Sequence, residues 1–207
     1  LDPTSVGALE IDGSSPLQDR RRVLTRTGFL LSEPALFDYL TPRETLRYIG
    51  RAYGLPVDQA DARAADLIRF FDLTDAEDRL VDGFSTGMQK RLSLAAALIH
   101  SPSVLVLDEP FESLDPLMVR SLKRLLRDYA ASGGTVLLSS HLIDAVEEIC
   151  EFVVILEQGR LVEAGPTEAV RAGIASRLPA ATLEDLYASL VPASELPELA
   201  WLIERGG

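Results

Sequence analysis

The sequence predicts an α/β fold, a parallel sheet with a helical lobe inserted into it. Three observations carry that expectation. Val104-Leu105-Val106-Leu107 is an unbroken apolar run that reads as a strand buried on both faces, stopped by Asp108-Glu109-Pro110. An amphipathic stretch and a second apolar run, Thr135-Val136-Leu137-Leu138, follow it; a strand–helix–strand unit of this length makes its strands parallel with a right-handed crossover. Upstream, two consecutive amphipathic helices come after strand signals, which marks them as an insertion.

In chain order, Ala8-Leu9-Glu10-Ile11 before Asp12-Gly13 reads as a strand entering a tight turn. Arg20 to Leu24 reads as a short helix, Gly28-Phe29-Leu30-Leu31 as a short strand, and Ser32-Glu33-Pro34 as a break. Thr41 is then an N-cap, Pro42 the first helical residue and Glu44 the far side of a capping box, with Leu46, Ile49 and Tyr53 at helical spacing. Gly54-Leu55-Pro56 separates this helix from the next, which carries Ala60, Ala64, Ile68 and Phe71. A third helix begins at Ser85-Thr86-Gly87 and runs through Leu92, Ala95, Ala96 and Ile99. After the acidic strand, 117–129 is a long amphipathic helix ending near Ser132-Gly133-Gly134. Leu142 to Ile149 reads as a helix, and 152–156 with 161–164 as a hairpin about Gln158-Gly159-Arg160. A helical tail follows, with Leu183-Glu184-Asp185-Leu186 at helical spacing and Trp201 as its docking anchor.

Composition narrows the classes. Across 207 residues the chain is 47% apolar, ample for a core, and no apolar run approaches the ~18 residues of a membrane span. A net charge of −12 without a basic stripe argues against nucleic acid as a partner. The single cysteine, Cys150, lies in an apolar setting (Ile149, Phe152) and reads as a small buried hydrophobe. The start, Leu1-Asp2-Pro3-Thr4-Ser5, lacks the features of a signal peptide. Met88 and Met118 are the only methionines, so Leu1 is no ordinary translation start and a longer, N-terminally truncated protein is expected.

The chemistry concentrates where strands end. In open α/β sheets ligands bind beyond the carboxyl ends of the strands, which is where Asp108 and Glu109 fall. A buried strand ending in paired acids suits a metal–phosphate site, one carboxylate holding Mg²⁺ and the other taking a proton from water; two acidic loop residues exiting to solvent are the plainer reading. Parallel pairing puts His141, after Ser139-Ser140, on the same edge. His100 has no such company and reads as structural. The Ser85-Thr86-Gly87 helix start either binds an anion through its free N–H groups or is simply capped, with Ser85 or Thr86 satisfying orphan donors and Thr86 and Gln89 as a capping box.

Together these stretches resemble the nucleotide-binding domain of an ABC transporter. Phe84-Ser85-Thr86-Gly87-Met88 is similar to the signature motif Leu-Ser-Gly-Gly-Gln, Val104 to Glu109 to the Walker B strand with its glutamate, Ser113-Leu114-Asp115 to the D-loop and Ser140-His141 to the switch histidine. Thr41-Pro42-Arg43-Glu44, the Ser-Thr-Gly-Met signature and the Leu183 to Leu186 tail look most like the ATPase subunits of ABC-2-type exporters. There are departures. No Gly-x-x-x-x-Gly-Lys-Ser/Thr P-loop occurs, since Lys90 and Lys123, the only lysines, follow Gln89 and Leu122. Ser32, beside Glu33, stands where the family places its Q-loop glutamine, and Thr86, Met88 and Ser113 replace the usual signature and D-loop residues.

The resemblance implies a P-loop NTPase-like sheet core that binds ATP and Mg²⁺. It divides the chain into a remnant of the N-terminal subdomain at 1–31, a helical subdomain at 32–100, an ATPase core at 101–165 and a helical tail at 166–207. It implies Glu109 as general base, His141 at the γ-phosphate, Asp108 on the metal, Ser85, Gly87 and Ser32 around the nucleotide, and Asp115 at a dimer seam. The implied partners are a second nucleotide-binding domain, most simply a homodimer, and a membrane permease reached from the cytoplasmic face. An ABC protein that switches a regulatory dimer, or a non-catalytic interaction fragment, are the alternatives from other classes.

Overall fold

The computed structural model describes residues 10–32 and 35–177. The strand expected at 8–11 lies largely outside them, as do Glu33, Pro34 and the tail beyond 177. Ile11 and Ser14 pair across Asp12-Gly13, whose φ values of +51° and +67° are those a two-residue hairpin turn requires.

Two compact units divide between His141 and Leu142. The first contains a three-stranded sheet in the order β1 (Thr27–Leu30), β2 (Val104–Asp108), β3 (Thr135–Ser139). Both pairings are parallel, with Gly28 opposite Leu105 and Asp108 opposite Ser139. Helix α1 (Arg20–Arg26) leads into β1. Between β1 and β2 in sequence come α2 (Pro42–Ala52), α3 (Val57–Phe70) and α4 (Thr86–Leu98), and α5 (Pro116–Ala131) joins β2 to β3.

The capping box forms as the sequence indicates: Glu44 N–H donates to Thr41 Oγ1 at 3.2 Å, and Thr41 N–H to Glu44 Oε2 at 2.9 Å. Ala60, Ala64, Ile68 and Phe71 are buried along α3, and Leu92, Ala95 and Ile99 along α4. Arg91 closes the C-terminus of α3, donating to the carbonyls of Phe71 and Asp72 at 3.2 and 3.0 Å. Tyr129 at the end of α5 donates to the Pro102 carbonyl at 2.8 Å, tying that helix to the residues before β2.

Burial along the sheet differs from the sequence reading. In β2 only Leu105 and Leu107 are fully buried, and Val104, Val106 and Asp108 are half-buried. β3 is more open still, with Leu137 exposed. β3 is an edge strand among the described residues, so a continuous apolar run there does not mean cover on both faces.

His100 lies just past the end of α4 as a packing residue, its ring stacked on Tyr53 with centroids 3.7 Å apart and planes 11° from parallel. Burial pushes its pKa down; the Thr27 backbone opposes this and the charge of Arg63 adds to it. The unfolded chain therefore takes up a proton here before the folded one does. The stability this residue contributes is present above the ordinary histidine value of about 6.5 and is lost as pH falls from there through the lower folded value. Denaturant melts of wild type and His100→Phe at pH 7 and pH 5 should show the variant losing less stability on acidification.

In the second unit α6 (Ile143–Ile149) precedes the antiparallel pair β4 (Phe152–Glu157) and β5 (Arg160–Pro166), and α7 (Thr167–Arg177) follows. Gln158 and Gly159, at φ +47° and +77°, make the expected turn. Val153 and Val170 form its small core with Ile143, Val146 and Cys150. Burial raises the Cys150 pKa, so the thiol stays protonated.

Candidate functional site

β2 delivers Asp108 and Glu109 to the carboxyl edge of the sheet, and β3 delivers Ser139 to Asp108's side through its parallel register. Ser139 Oγ donates to Asp108 Oδ1 at 2.5 Å, and the Ser32 hydroxyl donates to Asp108 Oδ2. These two bonds, Ser139's first, hold the carboxyl below its usual range; Lys90's charge adds to them and desolvation opposes. Asp108 is thus an ionised, oriented carboxylate at neutral pH.

Glu109 has φ +46°, the left-handed region, where a side chain crowds the following carbonyl at a cost of roughly 1–2 kcal/mol. Its N–H compensates by donating to both Ser139 oxygens, the carbonyl at 3.1 Å and Oγ at 3.2 Å. The backbone turn carries Glu109 Oε2 to 2.8 Å from His141 Nδ1, and the His141 N–H points at the same oxygen at 3.3 Å. Glu109's side chain is 25% exposed and His141's 64%, so a well-held acid meets an imidazole that solvent or a ligand can reach. The edge therefore offers a fixed anionic oxygen pair (Asp108) beside a carboxylate–imidazole pair (Glu109 and His141).

A second group lies at the N-terminus of α4. Ser85 is the N-cap, accepting from Met88 N–H at 3.3 Å, so the cap forms through Ser85 and leaves the Thr86–Gln89 box unneeded. Gly87 has a steric reason to be glycine: a Cβ there would stand 2.7 Å from the Ser113 carbonyl oxygen. Ser113 itself sits at φ +61°. Two residues on, Asp115 caps α5, accepting from Leu117 and Met118 N–H at 3.0 Å each. The Met118 bond leads in holding its carboxyl below the usual value.

Residues 1–112 match the family described as ABC transporter. The chain belongs to that family. Similar ABC proteins include the ABC transporter ATP-binding protein NatA of Bacillus subtilis, 33% identical over 82% of this chain and 69% of NatA. The bacitracin transport ATP-binding protein BcrA of Bacillus licheniformis is 32% identical over 80% of this chain, which spans 53% of BcrA's length. A solved structure described as the ATP binding subunit of an ABC transporter superposes with a TM-score of 0.81 at 30% identity, covering 90% of this chain and 77% of that one. The α/β architecture with a parallel sheet is that of the ABC ATPases.

Of the ABC site residues expected from sequence, Ser32, Asp108, Glu109 and His141 come together at one edge, while Ser85, Gly87 and Asp115 line the junction of α4 with the loop before α5. Two side chains were not anticipated. Ser139 binds both acids' segment, and its place opposite Asp108 was available from aligning two parallel strands of equal length. Lys90, only 4% exposed, donates Nζ–H to the Asp108 carbonyl at 3.2 Å. A lysine inside the Ala- and Leu-rich stripe of α4 was its visible signal.

Proposed function

We propose that this chain is the greater part of an ABC ATPase subunit that hydrolyses ATP in a head-to-tail pair and so drives export through a membrane permease. The observation that carries the reading is the 2.8 Å contact between Glu109 Oε2 and His141 Nδ1, beside a carboxylate kept ionised at the same strand ends. ATP is the substrate in this reading. Glu109 accepts the proton of the attacking water, His141 fixes Glu109's orientation and reaches the γ-phosphate, and Asp108 positions the metal-bound phosphate group. Ser85, Gly87 and the N–H groups opening α4 face the phosphates of the partner's nucleotide, and Asp115 lies near the seam.

The donor set fits Mg²⁺. Asp108 offers hard oxygen and is held ionised. Mg²⁺ is ordinarily held by one or two carboxylates together with substrate phosphates and water. When bound, it neutralises charge developing on the terminal phosphate.

Among the described residues no helix is long and apolar enough to cross a membrane; a place at the cytoplasmic face beside a separate permease belongs to the same proposal. The segment from Ser32 to Tyr39 and the helical lobe around Arg43 to Phe71 are the proposed docking surface; Tyr39 and Tyr48 are exposed there.

Phosphate binding is assigned to P-loop residues that these 207 residues do not contain. Without that backbone cradle and lysine, isothermal calorimetry of the 207-residue chain should detect no micromolar Mg-ATP binding, and a subunit carrying a P-loop upstream should bind and release phosphate. Tight binding by the short chain would overturn the assignment. An intact subunit that releases no phosphate, alone or with its permease, would overturn the function.

A further inference from the structure

Lys90 is a buried cation that the proposed chemistry leaves without a role. A lysine is rarely so enclosed unless its charge is answered; burial pushes the Lys90 pKa down, and the charges of Glu112, Asp108 and Glu109 oppose that shift. Its Nζ–H donates to the carbonyl of Asp108, at 3.2 Å. That carbonyl belongs to the same peptide unit as the Glu109 N–H. The unit is therefore gripped from both ends, its oxygen by Lys90 and its N–H by Ser139. It is also the unit that feeds Glu109 into its left-handed conformation at φ +46°. If the oxygen end is released, the peptide can rotate and the strained residue can relax, taking the Glu109 carboxylate away from His141.

We propose that Lys90 is a positioning residue, which fixes the Asp108–Glu109 peptide plane and so aims the Glu109 carboxylate at the reacting water. The inference rests on Glu109 being the general base of the proposed ATPase. It adds a mechanical consequence. Lys90 lies on α4, whose N-terminus carries Ser85 and Gly87, so a displacement of that helix by a nucleotide bound there reaches Glu109 through one side chain.

The test uses the intact subunit with Lys90→Met, which keeps length and apolar bulk and removes the donor, and Lys90→Arg, which restores a cationic donor. Lys90→Met should lower kcat by about 10²-fold with KM for ATP within about twofold of wild type, and Lys90→Arg should recover most of the loss. On a Glu109→Gln background Lys90→Met should lower the residual rate no further, because the two act through one group. A readout without nucleotide accompanies these. Amide hydrogen exchange at Glu109 should quicken by roughly tenfold or more in Lys90→Met, while Leu105 and Leu107 in the body of β2 keep their protection. If Lys90→Met does not fold, Lys90→Gln, too short to reach the carbonyl, enters the same cycle and is read the same way.

Wild-type kcat in the folded variant, an equal further loss on the Glu109→Gln background, or exchange that quickens along the whole of β2 would each overturn the positioning role. Full activity of Glu109→Gln alone would instead overturn the reading on which it rests.

Discussion

Glu109→Gln in the intact subunit should turn over ATP about 10²–10⁴-fold more slowly than wild type, the contribution a positioned general base makes, while still binding it. The substitution is nearly isosteric, and the main-chain grip on residue 109 comes from Ser139 rather than from its own side chain. The left-handed turn and the approach to His141 should therefore survive, and the proton acceptor should not. In the proposed head-to-tail pair, ATP that is bound but not cleaved would hold the two copies together, so the variant should elute as an ATP-dependent dimer in size-exclusion chromatography and show no burst of phosphate. His141→Ala should act on the same step by freeing the Glu109 carboxylate, and its effect should be smaller in a Glu109→Gln background than in wild type. Wild-type turnover by Glu109→Gln would remove Glu109 from its role.

Two kinds of information separate what the sequence disclosed from what it did not. Local chemistry was legible: the Thr41–Glu44 capping box and the Gln158–Gly159 turn depend on residues a few positions apart, whose side chains and φ preferences decide the outcome by themselves. The convergence of Asp108, Glu109 and His141 was also legible, although it is not local, because parallel pairing forces the ends of β2 and β3 onto one edge. The grip on the Glu109 peptide was not. It joins Lys90 and Ser139, 19 residues before and 30 after Glu109 in the sequence, and only the packing of α4 onto the sheet, which brings Lys90 Nζ to the Asp108 carbonyl, shows that the lysine points inward. Cover over the sheet was misjudged for a related reason. Apolar runs report the chemistry of the strand, whereas the exposure of Leu137 depends on which other elements lie against β3. The resemblance placed Ser85, Gly87 and Asp115 in a nucleotide and dimer site, and the structure adds a second reason for each: two helix caps and one close backbone approach.

That packing of α4 should be exposed most sharply at Gly28. Its φ is not in the left-handed region, so no backbone conformation demands glycine; space does. A Cβ at Gly28 would stand 2.2 Å from the carbonyl oxygen of Ala97, 2.8 Å from Leu105 Cδ2 and 3.0 Å from Pro102 Cγ. The nearest of these is main chain in the last turn of α4, which cannot swing aside as a side-chain tip can. Gly28→Ala must therefore push the helix off β1 or bend the strand. Overpacking of this kind costs about 1–3 kcal/mol and sometimes more, and a backbone clash at this distance argues for the upper end. Gly50, in the last turn of α2, is the control. There the nearest atoms to a new Cβ are side chains, Ile99 Cγ1 and Leu55 Cδ1 at 3.2 Å and Ala60 Cβ at 3.3 Å. Slight repacking can absorb that contact, and alanine regains about 1 kcal/mol of helix propensity over glycine. In urea melts Gly28→Ala should lose about 3 kcal/mol, with Gly50→Ala close to wild type. Because α4 also carries Lys90, the Gly28 variant that remains folded at low temperature should show faster amide exchange at Glu109 as well, a loss that travels from a strand glycine to the proposed base through the helix between them. A melt of Gly28→Ala that coincides with wild type would mean that α4 does not rest on β1 as closely as these distances say.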